Sequence, residues 1–153
     1  MQHLSELFVR ATEYCREFVD LLDQEKQALL EQDMVSLQAL IEAKTPLIAS
    51  LNATEKALEQ QLQQLGKPAE LTPGDFIRSL NDADLTAQHA DFLNAAQACQ
   101  DANLRNARLI RHSQHINSTL LDLLRNQGET SLNVYDRQGN ANRTLTGRPI
   151  SRA

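Results

Sequence analysis

The chain has 153 residues, of which 41% are hydrophobic and only 4% aromatic, and its formal net charge is −5. One domain with a core of aliphatic side chains is therefore expected. No apolar run approaches the roughly 18 residues of a membrane span, and the N-terminus lacks the basic and apolar regions of a secretory signal.

Two long helices are predicted in the first part of the chain. Apolar residues recur at steps of three and four from Leu4 to Leu29, and again from Leu37 to Leu65, which is the spacing of an amphipathic helix. The polar sequence Glu31-Gln32-Asp33 separates the two series, and Asp33 is suited to be the N-cap of the second helix. So short a connection predicts an antiparallel hairpin, and Pro46 predicts a kink in its second helix.

A short third helix and a long fourth helix are predicted next. Thr72-Pro73-Gly74-Asp75 combines an N-cap threonine, a proline at the first helical position and an acidic residue three after the cap. The fourth helix is expected from about Asp84 to Gln127 and ends at Gly128. We predict an all-α fold, an antiparallel bundle of three long helices plus one short helix, with an extended C-terminal tail. The predicted domains are a helical bundle over 1–128 and a flexible tail over 129–153.

The tail differs from the body in charge and composition. Its four arginines outnumber its two carboxylates, so it carries +2 and residues 1–128 carry −7. Its apolar content is too low for a core, and Leu132, Val134 and Tyr135 form its one small apolar cluster. We interpret a helical body that ends in such a tail as a surface for a partner protein, and not as a site that encloses a small substrate.

Four polar residues interrupt the apolar stripes of the helices. Folding the hairpin about Asp33 brings Glu25 and Lys44 to the same level, so we expect an ion pair that fixes the register of the two helices. Asn103 and Asn106 interrupt the stripe of the fourth helix. We expect them to fix helix packing, because a buried amide needs hydrogen-bond partners.

Basic residues do not form a nucleic-acid site in this sequence. Arg105, Arg108 and Arg111 lie about one turn apart, but no aromatic residue is interleaved for base stacking. The acidic body also opposes phosphate binding. We therefore expect a solvated helix face and no nucleic-acid partner.

Patterns of catalytic or metal-binding residues are not found. His112 and His115 lie three residues apart but lack a third ligand at a suitable spacing, so we expect a solvent-facing pair and no metal site. Cys15 and Cys99 each fall on an apolar stripe, which predicts reduced thiols in the core. The five glycines are too far apart to form a phosphate-binding loop. We predict a protein that is not an enzyme and that uses no cofactor.

The order of these features resembles the FlgN family of flagellar type III export chaperones. The resemblance covers roughly residues 4 to 140. In the hairpin it rests on Leu21-Leu22, Glu25, Ala28-Leu29, Asp33, Leu37, Leu40 and Lys44. It rests further on Asn103 and Asn106 in the third long helix, followed by a helix end and by Tyr135-Asp136-x-x-Gly139.

The resemblance implies a cytoplasmic chaperone without ATPase activity. Such proteins bind the C-terminal helical segments of hook-associated proteins, keep these clients unpolymerised and deliver them to the flagellar export gate and export ATPase apparatus. No direct membrane insertion is implied, and whether the protein forms a homodimer stays open.

By position, the resemblance assigns Leu120, Leu121 and Leu124 to a client groove and Tyr135 to the export gate. Leu132 and Val134 join them as partner-binding candidates. The alternative for the three leucines is ordinary bundle core, and the alternative for Tyr135 is packing against the protein's own helical body. Two alternatives remain: a structural coiled-coil protein that acts only by self-assembly, and a small enzyme or ligand-binding bundle with polar residues converging in a pocket.

Overall fold

The structure, a computed structural model, describes residues 1–137, with side chains described for residues 1–126. In this part of the chain all regular structure is helical, with α1 at Gln2–Glu31, α2 at Met34–Gln64, α3 at Pro73–Ser79 and α4 at Ala83–Arg137. The predicted class, three long helices and one short helix, is confirmed. The described part of the chain divides into two units, the first at Met1–Ile110 and the second beginning at Arg111.

The connection between α1 and α2 is as short as the sequence predicts. Gln32 adopts a left-handed conformation with φ 58°, and the N–H of Asp33 donates to the carbonyl oxygen of Ala28 at 2.9 Å. The Asp33 carboxylate accepts hydrogen bonds from the N–H of Ser36 at 3.0 Å and from its hydroxyl at 2.6 Å. These bonds lower the pKa of Asp33 and confirm it as the N-cap of α2. Pro46 lies inside α2, which continues on both sides of it, and the kink there remains a prediction.

Caps also define α3. The Thr72 hydroxyl oxygen accepts the N–H of Asp75 at 3.1 Å and donates to the Asp75 carboxylate at 2.7 Å. Thr72 is therefore the N-cap of α3, as the sequence predicts. Asn81, with φ 55°, separates α3 from α4, and Asp82 accepts the N–H of Leu85 at 3.0 Å at the start of α4.

The hydrophobic core lies where α1 begins, α2 ends, and α3 and the start of α4 pack against them. Its only aromatic members are Phe8 and Phe76, as the aliphatic composition predicts. The centroid of the Phe8 ring also lies 5.8 Å from the ring centroid of the half-buried Phe92. The buried members of the core are Leu4, Leu7, Phe8, Ala11, Leu58, Leu62, Phe76, Ile77 and Leu85.

In the first unit, α4 lies beside α1 and runs parallel to it, as the third long helix of an up-down-up bundle should. Phe8 meets Phe92, Cys15 meets Cys99 and Leu22 meets Asn106. Successive pairs lie seven residues apart on both helices. The two helices therefore keep one register through two heptads.

The predicted end of the fourth helix is wrong. α4 continues through Gly128 to Arg137. A glycine inside a helix costs only about 1 kcal/mol relative to alanine, so it weakens a helix without ending it. The predicted tail therefore overlaps the end of α4, and residues 138–153 lie outside the described part of the chain.

Candidate partner-binding surfaces

A buried polar cluster joins the three long helices of the first unit. The Glu25 carboxylate on α1 is paired with the Lys44 ammonium on α2, and the Glu25 and Lys44 side chains are 7% and 18% exposed. The Asn106 amide on α4 donates to Glu25 Oε1 at 3.0 Å and to the carbonyl oxygen of Leu22 at 2.7 Å. The predicted pair is confirmed, and Asn106 has the structural role expected for it.

Asn103 differs from Asn106 because its side chain is exposed to solvent. The expectation that it is a buried packing residue was wrong. Three residues before Asn106, Asn103 lies about 60° further round a helix of 3.6 residues per turn. This rotation moves its side chain off the face that α1 covers.

Arg105 contacts α1, whereas Asn103 does not. Its guanidinium forms an ion pair with Asp23 at 2.9 Å and donates to the carbonyl oxygen of Leu22 at 3.2 Å. The expectation of a solvated arginine face holds for Arg108 and Arg111, which are exposed, but not for Arg105. An acidic residue on the facing helix was the missing signal, and only the register of α1 and α4 reveals it.

In the second unit, α4 presents an exposed apolar face. Leu120, Leu121 and Leu124 are 52%, 62% and 63% exposed, so they are not buried in a bundle core. Ile116 and Leu123 are also exposed. These five residues are called the C-terminal leucine face.

Leu123 was not among the residues singled out from the sequence, although helical spacing identifies it. Ile116, Leu120, Leu123 and Leu124 stand at i, i+4, i+7 and i+8, which places them on one stripe. Leu121 widens that stripe on one side. The nearby ion pair of Arg125 with Asp122, at 3.2 Å, is exposed and contributes little to stability.

The apolar cluster predicted in the tail lies within the last part of α4. Leu132, Val134 and Tyr135 are helical in backbone, and their side chains are outside the described set. Their assignment to partner binding therefore stays a prediction.

The cysteines lie in the first unit, between α1 and α4. The Cys99 thiol donates to the carbonyl oxygen of Cys15 at 3.0 Å, and both thiols are free. Burial, followed by the neighbouring Cys15, raises the pKa of Cys99 to about 12, and burial also raises the pKa of Cys15. Protonated thiols are poor nucleophiles and poor metal ligands.

His112 and His115 are exposed, as predicted. Among the residues that the structure describes, no group of three or more His, Cys, Asp or Glu side chains could hold a metal ion. Within the same residues, no helix is both long and apolar enough to cross a membrane.

Comparison with known proteins identifies the family. The model of the FlgN protein family matches residues 1–143. Among solved structures, the chain is similar to a crystal structure from Pseudomonas aeruginosa described as a flagella synthesis protein FlgN, with 27% sequence identity and a TM-score of 0.65. That match covers 81% of this chain and 97% of the Pseudomonas chain. No curated protein matches the sequence. Because the family model spans most of the chain, this protein belongs to the FlgN family.

Proposed function

We propose that this protein is a flagellar type III export chaperone of the cytoplasm. It binds the C-terminal helical segments of hook-associated proteins, keeps them unpolymerised and delivers them to the export gate and export ATPase apparatus. Membership of the FlgN family and the likeness to a flagella synthesis protein support a flagellar role. The C-terminal leucine face supports the step of client binding.

The main support for this proposal is the solvent exposure of the C-terminal leucine face. Five large apolar side chains within nine positions of one helix are exposed, whereas single exposed apolar residues are ordinary on protein surfaces. An amphipathic client helix could cover the face with its own apolar stripe, which is a recurrent mode of peptide recognition. A client helix held in this way could not use its stripe to polymerise.

The proposed roles divide between two parts of α4. Leu120, Leu121 and Leu124 contact the client, together with Leu123. Tyr135, with Leu132 and Val134 nearby, contacts the export gate. No catalytic step is involved.

The client proposal is tested with the double variant Leu121→Ser, Leu124→Ser in the full-length protein. A synthetic peptide with the sequence of a hook-associated protein's C-terminal helix serves as the probe, read by fluorescence anisotropy. We expect the dissociation constant to rise at least about tenfold, because loss of two central apolar contacts removes more than about 1.4 kcal/mol. Circular dichroism should show unchanged helicity, since both side chains are exposed.

Two controls sharpen this test. Leu30→Ser with Met34→Ser removes two exposed apolar side chains elsewhere and should leave the affinity unchanged. Tyr135→Ala should also leave client affinity unchanged while it lowers secretion of the hook-associated protein. If Tyr135→Ala weakens client binding as much as secretion, the tyrosine belongs to the client site. If Leu121→Ser, Leu124→Ser binds normally or unfolds, the leucine face is not the client site.

A further inference from the structure

A surface cavity lies in the first unit, between α2 and α4. Its main part has a volume of about 720 Å³, with the buried Phe8, Leu58 and Leu62 at its floor. The half-buried Phe92 and the exposed Leu93 line its α4 side. A neighbouring cavity of about 250 Å³ shares Glu55, Leu58 and Phe92 with it and continues over Ala11 and Cys15. The two cavities together are called the α2–α4 groove.

The groove has the length and position of a missing helix. On α2 it extends from Leu51 to Leu62, which is about 16 Å, or three turns of helix. Its floor is α1, which contributes Phe8, Ala11 and Cys15 to the lining. A helix in the groove would complete a four-helix bundle, in which each helix buries one apolar stripe.

The rim of the groove carries negative charge along α2 and positive charge at one end. Glu55 and Glu59 are exposed on the α2 wall, whereas Lys67 of the α2–α3 connection and Arg78 of α3 stand at one end of the groove. The Lys67 ammonium donates to the carbonyl oxygens of Pro68 at 3.1 Å and Leu71 at 2.8 Å. These acceptors are neutral, so they hold the ammonium in place without cancelling its charge.

Arg78, the second cation at this end of the groove, already forms an ion pair with a carboxylate. Arg78 pairs with Asp75 at 2.5 Å, but its side chain is 67% exposed. An exposed pair of this kind contributes little, and a guanidinium has five donors, so Arg78 keeps donors for a second carboxylate. Lys67 and Arg78 together make this end of the groove complementary to negative charge.

We propose that the α2–α4 groove binds an amphipathic helix of a partner protein, about three turns long, whose C-terminal carboxylate lies at Lys67 and Arg78. Its apolar stripe faces Phe92 and Leu93 above the buried floor of the groove, and basic residues on its flank lie beside Glu55 and Glu59. The negative C-terminal end of the bound helix meets the positive end of the groove. This surface belongs to the first unit and is separate from the client site proposed on the second.

The proposal is tested on the full-length protein with a designed peptide. The peptide has leucines at i, i+3, i+4 and i+7, lysines on one flank, an N-terminal dye and either a free or an amidated C-terminus. Leu93→Arg should raise its dissociation constant at least about tenfold, because the variant places a charge in the apolar groove. Leu93 is 52% exposed, so the substitution should leave the fold intact.

Leu104→Arg is the matched control, because Leu104 is an exposed leucine of the same helix that does not line the groove. Its affinity should stay within about twofold of the unmodified protein, as for surface substitutions in general. Amidation of the peptide should weaken binding several-fold, and Lys67→Gln should reduce the difference between the two peptide forms. Equal affinity of both forms for the unmodified protein would overturn the assigned orientation.

The double variant Leu121→Ser, Leu124→Ser separates this site from the client site. It should bind the designed peptide with unchanged affinity, whatever its effect on the hook-associated peptide. Loss of binding in that variant, normal binding in Leu93→Arg, or no saturable binding to the unmodified protein would each overturn the groove as a docking site.

Discussion

The polar cluster around Glu25 shows how single residues set the alignment of the helices. Its carboxylate is buried, and its charge is met by Lys44 of α2 and an amide of Asn106 of α4. A buried carboxylate without partners costs several kcal/mol. A packing shifted along any one of the three helices would leave Glu25 unpaired, so the cluster favours a single register.

The sequence identifies this cluster only in part. Glu25 and Lys44 are predictable because both interrupt an apolar stripe and fall at one level of a hairpin whose turn is evident. Asn103 and Asn106 interrupt the α4 stripe in the same way, yet only Asn106 faces α1. Because α1 and α4 are far apart in the sequence, no turn reveals their register.

Asn106→Ala is expected to lower the free energy of unfolding by about 2 kcal/mol, because it leaves Glu25 Oε1 without a buried donor. Asn103→Ala is the control and should change it by no more than about 0.5 kcal/mol, as exposed positions usually do. Urea denaturation followed by circular dichroism measures both values. Similar losses in the two variants would contradict the role assigned to Asn106.

At the scale of whole helices, two glycines show opposite behaviour. Gly66 has φ +84° and follows the last turn of α2, where its N–H donates to the carbonyl oxygen of Gln63 at 2.9 Å. Gly128 lies inside α4. A glycine ends a helix when the chain takes a left-handed conformation there, and its presence in the sequence does not decide which conformation is taken. The end of α2 was predictable because Pro68 follows Gly66 closely, and no proline follows Gly128 in the same way.

Alanine at these two positions should therefore have effects of opposite sign. Gly128→Ala should slow amide hydrogen exchange around residue 128 about fivefold, since alanine favours a helix by about 1 kcal/mol over glycine. Gly66→Ala should lower the free energy of unfolding by about 1–2 kcal/mol, because an L side chain disfavours positive φ. Exchange rates that do not change in Gly128→Ala would contradict a helix that continues through this position.

At the scale of the whole molecule, His89 links stability to pH. Its ring lies edge-on to Phe8, with 5.3 Å between the centroids. Burial, and then the positive charge of Arg78, lower the pKa of His89 from its ordinary 6.5. Protonation therefore opposes folding. The contribution of His89 to stability is complete above pH 6.5 and is lost as the pH falls from there toward the lowered pKa.

The urea concentration at the midpoint of unfolding should consequently decrease as the pH is lowered from about 7.5 to about 5.5. His89→Gln, which cannot titrate, should show a shallower decrease over this window. His3→Gln, at an exposed histidine, is the control and should keep the slope of the unmodified protein. Asp33 and Asp75 have lowered pKa values. Protonation of their carboxylates therefore destabilises the fold only at more acidic pH. An unchanged slope in His89→Gln would contradict this account.

The sequence by itself determines the hairpin, its caps and the position of each helix except the end of α4, because these depend on residues that are close along the chain. Apolar spacing locates α1, α2 and α4, and Asp33 and Thr72 mark where two helices begin. The same local spacing predicts an apolar stripe at Leu120 and Leu124.

Only the tertiary structure decides which faces are covered. It buries Asn106 and exposes Asn103, pairs Arg105 with Asp23, and leaves the C-terminal leucine face and the α2–α4 groove open. These outcomes depend on the register between α1 and α4, whose contacting residues lie 84 positions apart. An apolar stripe has the same spacing whether its own chain or a partner covers it, so its exposure follows from the packing of distant helices.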